Sequence, residues 1–310
     1  MLLGLSAPLI NIPVLVVIFS SAILRIQKEF IIIAGLSLSD AMNGLVFFFV
    51  AVYRLIIVSK GKETELTSRW HCLTTVPQMC SVVSDLAFGW MLLLMTLDRF
   101  FAVFAPVRYF KLGHSYAWKM LCAVLFTSLI CLFIAFIVTR RDNVPEVSSL
   151  CYTSDSLNKN VDFSFSITRI VAVTFSIILY VPICARLYAI AKQKRLGKYS
   201  TRRYAQLKNM TLTVALSSAS GVVFVLIPDT ITAFDIFGLK KYSSYFFVLI
   251  LAKSIANVMI YVFRNPMLSQ RLQLLFLRKK EPRINLTLST IANISFRRTH
   301  SSINSVNHNL

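Results

Sequence analysis

Charged side chains are scarce in this sequence. They account for 15% of its 310 residues, while 56% of the residues are hydrophobic. An average soluble domain has about 25% charged residues. A soluble protein could not bury so much apolar surface and remain monomeric. We therefore expect lipid to be the solvent for most of the chain.

The sequence also lacks the features of several other protein classes. Its six cysteines form no CxxC or other zinc-binding spacing. No nucleophile–base pair, nucleotide-binding loop or internal repeat stands out, so we do not expect an enzyme. The N-terminus lacks the basic region and cleavage site of a signal peptide. The first apolar run is therefore expected to be a membrane span that acts as its own insertion signal.

The sequence does contain a series of long apolar runs. A membrane helix needs about 20 mostly apolar residues. This criterion predicts an all-α membrane protein, a bundle of seven transmembrane helices at about 2–24, 30–58, 72–104, 117–138, 163–191, 204–237 and 243–263. We number these spans one to seven in chain order.

Two further segments follow span seven. Residues 265–277 are predicted to form a short amphipathic helix, because Leu268, Leu272, Leu275 and Phe276 fall on one helical face. Residues 1–277 are thus predicted to form one membrane domain. The tail, 278–310, is basic and rich in Ser, Thr and Asn, and is predicted to be disordered.

Basic residues are distributed unevenly between the two sets of loops. One set carries 20 Lys and Arg and comprises 25–29, 105–116 with Lys119, 192–208 and 264–310. The other set carries 8 and comprises the N-terminus, 59–71, 139–162 and 238–242. Cytoplasmic loops carry the excess of positive charge. We expect a multi-pass plasma-membrane protein with an extracellular N-terminus and a cytoplasmic C-terminus.

The net charge of +20 is therefore interpreted as a basic collar that faces anionic lipid and cytosolic partners. We do not expect nucleic acid to be a partner.

A motif at the end of span three narrows the class. Asp98-Arg99-Phe100 is followed by Pro106-Val107-Arg108-Tyr109. This segment resembles the DRY…P-L-R-Y segment of rhodopsin-like, or class A, G-protein-coupled receptors, with Phe100 in place of Tyr. An acid–base pair alone could be an ordinary helix end. The register of Pro106 and Tyr109 behind it makes that explanation improbable.

Other residues agree with this resemblance in the matching spans. They are Asn11 in span one, Asp40 in span two, Trp70 and Cys72 before span three, Pro182 in span five and Pro228 in span six. In span seven, Asn257-Val258-Met259-Ile260-Tyr261 is similar to the NPxxY motif, with Val258 replacing Pro. The resemblance covers residues 1–277. Within the superfamily the chain is most similar to the nematode serpentine chemoreceptors, class sx. That narrower resemblance suggests a sensory neuron and a chemosensory cue, small neuromodulator or peptide as the extracellular ligand.

The resemblance implies a mechanism for the motif residues. Asp98 holds Arg99 at rest; upon activation span six swings outward and Arg99 contacts the C-terminal helix of a heterotrimeric G protein. The coupling and activation set is Asp98, Arg99, Phe100, Pro106, Tyr109, Asn257 and Tyr261. Lys208 replaces the acid that the family often has at the base of span six, so a weaker restraint at rest is expected. Tail hydroxyls could be phosphorylated and recruit an arrestin, or the tail could be a linker.

A polar core is expected from Asn11, Asp40 and Lys253. In the resembled family Asp40 helps to bind a sodium ion. Lys253 lies one helical turn before Asn257, and a Lys inside the bilayer needs a counter-charge. We expect its ammonium to pair with Asp40 and replace sodium, so that no cofactor is needed. Pairing with Asp85, or snorkelling to the interface, remained the alternatives.

Candidate ligand-binding residues lie in the outer halves of the spans: Ser81, Ser84 and Asp85 in span three, Arg169 in span five and Asp229 in span six. The two acids could bind a cationic ligand or pair within a buried structural network. The resemblance also implies a disulfide between Cys72 and Cys151. Because Cys72 lies two residues farther from Arg99 than the family's spacing, a local shift is expected at the top of span three.

Two alternatives to a signalling receptor stay open on the sequence alone. Seven spans would also suit a transporter or channel, which should show a continuous polar path; the charges here are isolated. A truncated, non-signalling receptor is the other alternative, because only ten residues precede Asn11 and the family usually has about 20.

Overall fold

The computed structural model describes residues 2–195 and 201–277, which form a bundle of long helices. Spans one to seven correspond to Leu2–Ser20 with Ala22–Ile26, Lys28–Ser59, Val76–Phe104, His114–Thr139, Lys159–Arg195, Thr201–Phe234 and Ser243–Arg264. Six of the described helices are long and apolar enough to cross a membrane. A seventh is counted if Val248–Arg264 and Pro266–Phe276, which are bent by 104°, are taken together. The predicted tail, 278–310, lies outside the described residues.

Shorter elements connect the spans. The helices are Arg69–Thr74, Pro106–Lys111, Thr153–Ser156, the 3-10 helix Ile236–Tyr242 and Pro266–Phe276. The strands Leu66–Ser68 and Pro145–Ser148 pair antiparallel. We call the end of the bundle with these strands the disulfide end, and the opposite end, where span three finishes, the Arg99 end.

Span three begins later than the hydropathy predicted. The predicted start of the span at about residue 72 is four residues too early, because Thr75 has extended backbone (φ −71, ψ 137) and the long helix starts at Val76. Pro77 lies in its first turn, where the missing proline N–H costs nothing. Cys72 therefore belongs to a separate short helix. This break is the local shift that the Cys72–Arg99 spacing required.

Span one is also interrupted. Ser21 has extended backbone (φ −90, ψ 113), so the predicted run 2–24 is divided into Leu2–Ser20 and Ala22–Ile26. No side-chain hydrogen bond caps the second piece. The interruption leaves Leu24 fully buried in the core.

Span six widens where it approaches Pro228. Residues Val222–Leu226 form one turn of π-helix before Ile227–Phe234 continues as α-helix. A proline ring collides with the carbonyl four residues earlier in a regular α-helix, and π-turns relieve such local mismatches. The widened turn lies next to Phe88, Leu92 and Val173 of spans three and five.

Apolar side chains are sorted between the core and the outside of the bundle. The central cluster joins residues such as Ile18, Phe30, Met95 and Tyr261. Span four instead turns large side chains outward, with Phe126 66% and Phe133 64% exposed. Lipid is the solvent that accommodates such a surface.

Candidate functional site

The Arg99 end contains a buried hydrogen-bonded group of three side chains. Arg99 Nε donates to Asp98 Oδ2 over 3.0 Å, and a second nitrogen, Nη2, also contacts that oxygen. Arg99 Nη2 donates to the Tyr109 hydroxyl over 2.9 Å, and that hydroxyl donates to Asp98 Oδ2 over 3.2 Å. All three residues are less than 5% exposed. Burial raises the pKa of the Tyr109 phenol, which therefore keeps the proton that it donates.

The helix Pro106–Lys111 positions Tyr109. It follows directly on span three, with Ala105 as the residue between the two helices and proline as its first residue. Proline pre-sets the backbone of a first helical turn. The chain therefore turns at Pro106, and the Tyr109 side chain lies against Asp98. This explains why Pro106 and Tyr109 occur together in the motif.

Phe100 does not join the polar group. Its ring stacks on Phe104 with a centroid distance of 4.4 Å, and it packs against the cluster of Val103, Ile183 and Ile190. The substitution of Phe for the family's Tyr therefore gives an apolar contact between spans three and five.

The Arg99 end is closed by side chains of span six. A cavity of about 10 Å³ remains beside Asp98 and Arg99, lined by Glu29, Ile32, Ile33, Met95, Met210, Thr213 and Val214. That volume is about enough for one water molecule. Lys208 is exposed. Among the described residues, this small cavity is the space beside the Arg99 side chain.

A second charged group lies at the centre of the bundle. Lys253 Nζ is 3.7 Å from Asp40 Oδ1 and 3.5 Å from the centroid of the Phe88 ring. Lys253 is fully buried, and Asp40 is 1% exposed. Of the partners weighed from the sequence, the structure therefore places Asp40 beside Lys253.

Asn257 extends this group towards span six. Its side-chain nitrogen donates to Asp40 Oδ2 over 2.8 Å, and its oxygen accepts from Ser217 over 2.8 Å. The Tyr261 hydroxyl lies 3.5 Å from Ser217. Asn11 donates to Ser254 over 3.1 Å, which connects span one to the residue after Lys253. These contacts link spans one, two, six and seven.

The third charged group lies between spans three, five and six, nearer the disulfide end. Arg169 donates to both oxygens of Asp229, from Nε over 2.9 Å and from Nη2 over 3.0 Å. Its third nitrogen is 3.9 Å from Asp85. The side chains of Arg169, Asp85 and Asp229 are 17%, 10% and 11% exposed. Three of the five ligand candidates are thus brought together.

The other two ligand candidates are hydroxyls on span three. Ser81 and Ser84 are 3% and 6% exposed, and Ser84 Oγ has no hydrogen-bond partner in the described part of the chain. Ser81 precedes Asp85 by one helical turn, so both side chains project from a similar face. The outer half of span three is therefore polar.

A disulfide between Cys72 and Cys151 fastens the disulfide end, with a Cα–Cα distance of 5.3 Å. It joins the short helix before span three to the segment that follows the paired strand Pro145–Ser148. Arg54, which the sequence reasoning did not single out, donates from span two to the Leu150 carbonyl over 3.2 Å. The acceptor is backbone, so the sequence carried no signal for this contact.

Lys28 was counted only as a basic loop residue, yet it is 7% exposed. Its Nζ lies 3.4 Å from the centroid of the Tyr109 ring and donates to the Leu112 carbonyl over 3.2 Å. It also donates to the Tyr109 carbonyl. Charge alone did not distinguish this residue from its exposed neighbours.

Comparison with protein-family models gives the class. Residues 10–264 match the model described as 7 transmembrane receptor (rhodopsin family). The chain belongs to this rhodopsin family of seven-transmembrane receptors, and it is a multi-pass membrane protein. The match favours a receptor over an enzyme, transporter or channel. A search of the curated proteins found no match. The narrower resemblance to nematode chemoreceptors stays a prediction.

Proposed function

We propose that this receptor binds an extracellular ligand and, in response, activates a heterotrimeric G protein at the Arg99 end. The buried Asp98–Arg99–Tyr109 group carries this proposal. A buried arginine costs free energy unless it is paired. Arg99 is paired at one end of the bundle, within the motif through which the resembled family couples to G proteins. The Arg99 end would face the cytosol, because the loops at that end carry most of the Lys and Arg.

Activation requires the closed end to open. Met210, Thr213 and Val214 of span six line the 10 Å³ cavity beside Arg99. Outward movement of span six would enlarge this cavity and uncover Arg99 for the C-terminal helix of the G protein. Phosphorylation of the tail, 278–310, would then allow an arrestin to bind.

The ligand would carry a positive charge and bind at Asp85. Asp229 already receives two hydrogen bonds from Arg169, whereas Asp85 is 3.9 Å from it, beyond hydrogen-bond distance. The group contains two acids and one base, so a ligand cation would balance it. Ser81 and Ser84 would supply hydroxyls to a protonated amine of a chemosensory cue, neuromodulator or peptide.

Lys253 would take the place of the sodium ion that Asp40 helps to bind in the resembled family. Its ammonium lies 3.7 Å from Asp40, with the Phe88 ring on its other side. A covalently attached cation in this position leaves no need for a free one.

A ligand screen in cells with a G-protein readout tests the proposal. Compounds with a protonated amine are compared with neutral compounds of the same shape. Active compounds should fail on Arg99→Ala at equal surface expression, and should act normally on Arg140→Ala, which removes an exposed arginine at the other end. Asp85→Asn should weaken cationic ligands about tenfold or more. Unchanged signalling by Arg99→Ala would contradict the mechanism.

A further inference from the structure

Lys28 fastens the connection after span three to the start of span two. It is the first residue of span two, and its ammonium donates to the carbonyls of Tyr109 and Leu112. These carbonyls lie at the C-terminal end of the helix Pro106–Lys111, where helix carbonyls carry partial negative charge. The Tyr109 carbonyl also accepts from the Leu112 N–H over 3.1 Å, and the buried ammonium adds a second donor to it and one to the Leu112 carbonyl.

The same ammonium lies over the ring of Tyr109, 3.4 Å from its centroid. Cation–π contacts at this distance are favourable and stronger when desolvated. Tyr109 is 2% exposed, and Lys28 is 7% exposed. Lys28 therefore fixes both the backbone and the ring of Tyr109.

Tyr109 in turn connects Arg99 to an element other than its own helix. The hydrogen bonds of Arg99 to described side chains go to Asp98, its neighbour in span three, and to the Tyr109 hydroxyl. The position from which the resembled family supplies an acid in span six is occupied by Lys208, which is exposed. Among the described residues, Tyr109 is thus the side chain outside span three that hydrogen-bonds Arg99.

We propose that Lys28 is a positioning residue that clamps Tyr109 against Asp98 and Arg99, and that this clamp restrains the ligand-free receptor. The proposal rests on the proposed coupling through Arg99. Lys28 contacts neither Arg99 nor any G protein in this account; it acts through Tyr109.

Two substitutions separate the parts of the clamp. Lys28→Met removes the ammonium and keeps a long unbranched chain, and Tyr109→Phe removes the hydroxyl and keeps the ring. Each should raise ligand-free G-protein activation about two- to tenfold per receptor at the surface, the range for losing one hydrogen bond. Because Lys28 acts on Arg99 through Tyr109, the two effects share one route, and the double variant should exceed the larger single effect only slightly.

Matched variants control for the substitutions themselves. Lys119→Met and Tyr188→Phe change exposed residues of the same types and should leave ligand-free activation unchanged. Lys28→Arg, which keeps the charge and donors, should stay near the wild-type level. Where the wild-type receptor activates a G protein, ligand-free activation at or below the wild-type level in Lys28→Met and Tyr109→Phe, at matched expression, would overturn the clamp.

A second readout keeps the clamp separate from the coupling proposal. An environment-sensitive fluorophore is attached through Lys208→Cys in the full-length receptor, with the exposed Cys122 and Cys184 replaced by alanine. Lys28→Met and Tyr109→Phe should shift its emission without any G protein, whereas Lys119→Met should not. A shift in a receptor that activates no G protein refutes the coupling and supports the clamp; emission equal to wild type in both variants refutes the clamp.

Discussion

The charged side chains inside the bundle are compensated in small groups. Asp40 faces Lys253 from another span, Arg169 joins Asp229 from another span, and Arg99 is held by its neighbour and by Tyr109. Removing one partner of a buried pair leaves an uncompensated charge, which costs about 3–5 kcal/mol. These residues therefore determine which helix arrangements are accessible to the receptor.

Sodium dependence tests the Lys253–Asp40 pair. If Lys253 takes the place of sodium as proposed, the melting temperature of the purified receptor should be the same in sodium chloride and in choline chloride at equal ionic strength. Lys253→Asn leaves Asp40 without its cation, so sodium should then raise the melting temperature by roughly 2–4 °C.

Lys60→Asn, which alters an exposed lysine at the other end of span two, serves as the control and should show no sodium effect. A sodium-specific rise in the unmodified receptor would refute the replacement of sodium by Lys253.

The residues whose partners could be predicted share one property. Lys253 and Asp40 are charged residues within apolar runs. A charge inside the bilayer needs an opposite charge, and the other spans offer few of them. Lys28 and Arg54 instead bind backbone carbonyls, and every residue offers such an acceptor. Their contacts depend on where a distant loop passes, which a single sequence does not encode locally.

At the scale of the elements, hydropathy predicted where the long helices lie but not where they break. The break at Thr75 follows from Pro77, a local signal that a 20-residue window averages away. The π-turn Val222–Leu226 before Pro228 has the same origin. Both breaks lie near candidate site residues, the first near Cys72 and the second near Asp229.

Close packing of spans one and two depends on glycine. A Cβ atom added at Gly44 would lie 2.6 Å from the Ala7 Cβ and 2.7 Å from the Gly4 carbonyl oxygen. Small residues allow such close approach of membrane helices. Gly44→Ala should therefore separate the two spans and lower the free energy of unfolding by about 1–3 kcal/mol.

The measurement is thermal unfolding of the purified receptor, with Gly113→Ala as the control. A Cβ atom at Gly113 would meet nothing within 4 Å. Equal melting temperatures for Gly44→Ala and wild type would show that the two spans can separate without cost.

For the whole molecule, the fold could be predicted because lipid imposes a simple rule on backbone hydrogen bonding and because the motifs lie in matching spans. The sequence assigned the candidate residues to a coupling motif, a polar core and a set of ligand candidates, but it left the partners of Asp85 and Asp229 open. Arg169, Asp85 and Asp229 lie on three spans, and their contact depends on how those helices rotate and tilt.

The orientation of the bundle can be tested with glycosylation. Lys62→Asn creates an acceptor triplet with Glu63 and Thr64 in the loop after span two, which we expect outside the cell. The variant should gain a glycan that an endoglycosidase removes. The natural triplets at Asn285 and Asn293 should stay unmodified; sugar on either would reverse the proposed topology.

The most direct test of the coupling mechanism measures nucleotide exchange on purified heterotrimeric G proteins by the full-length receptor in lipid nanodiscs, with a ligand identified by the screen. Wild type and Arg140→Ala should accelerate exchange when ligand is added, and Arg99→Ala should not, although it binds the ligand. Equal acceleration by Arg99→Ala would contradict the account.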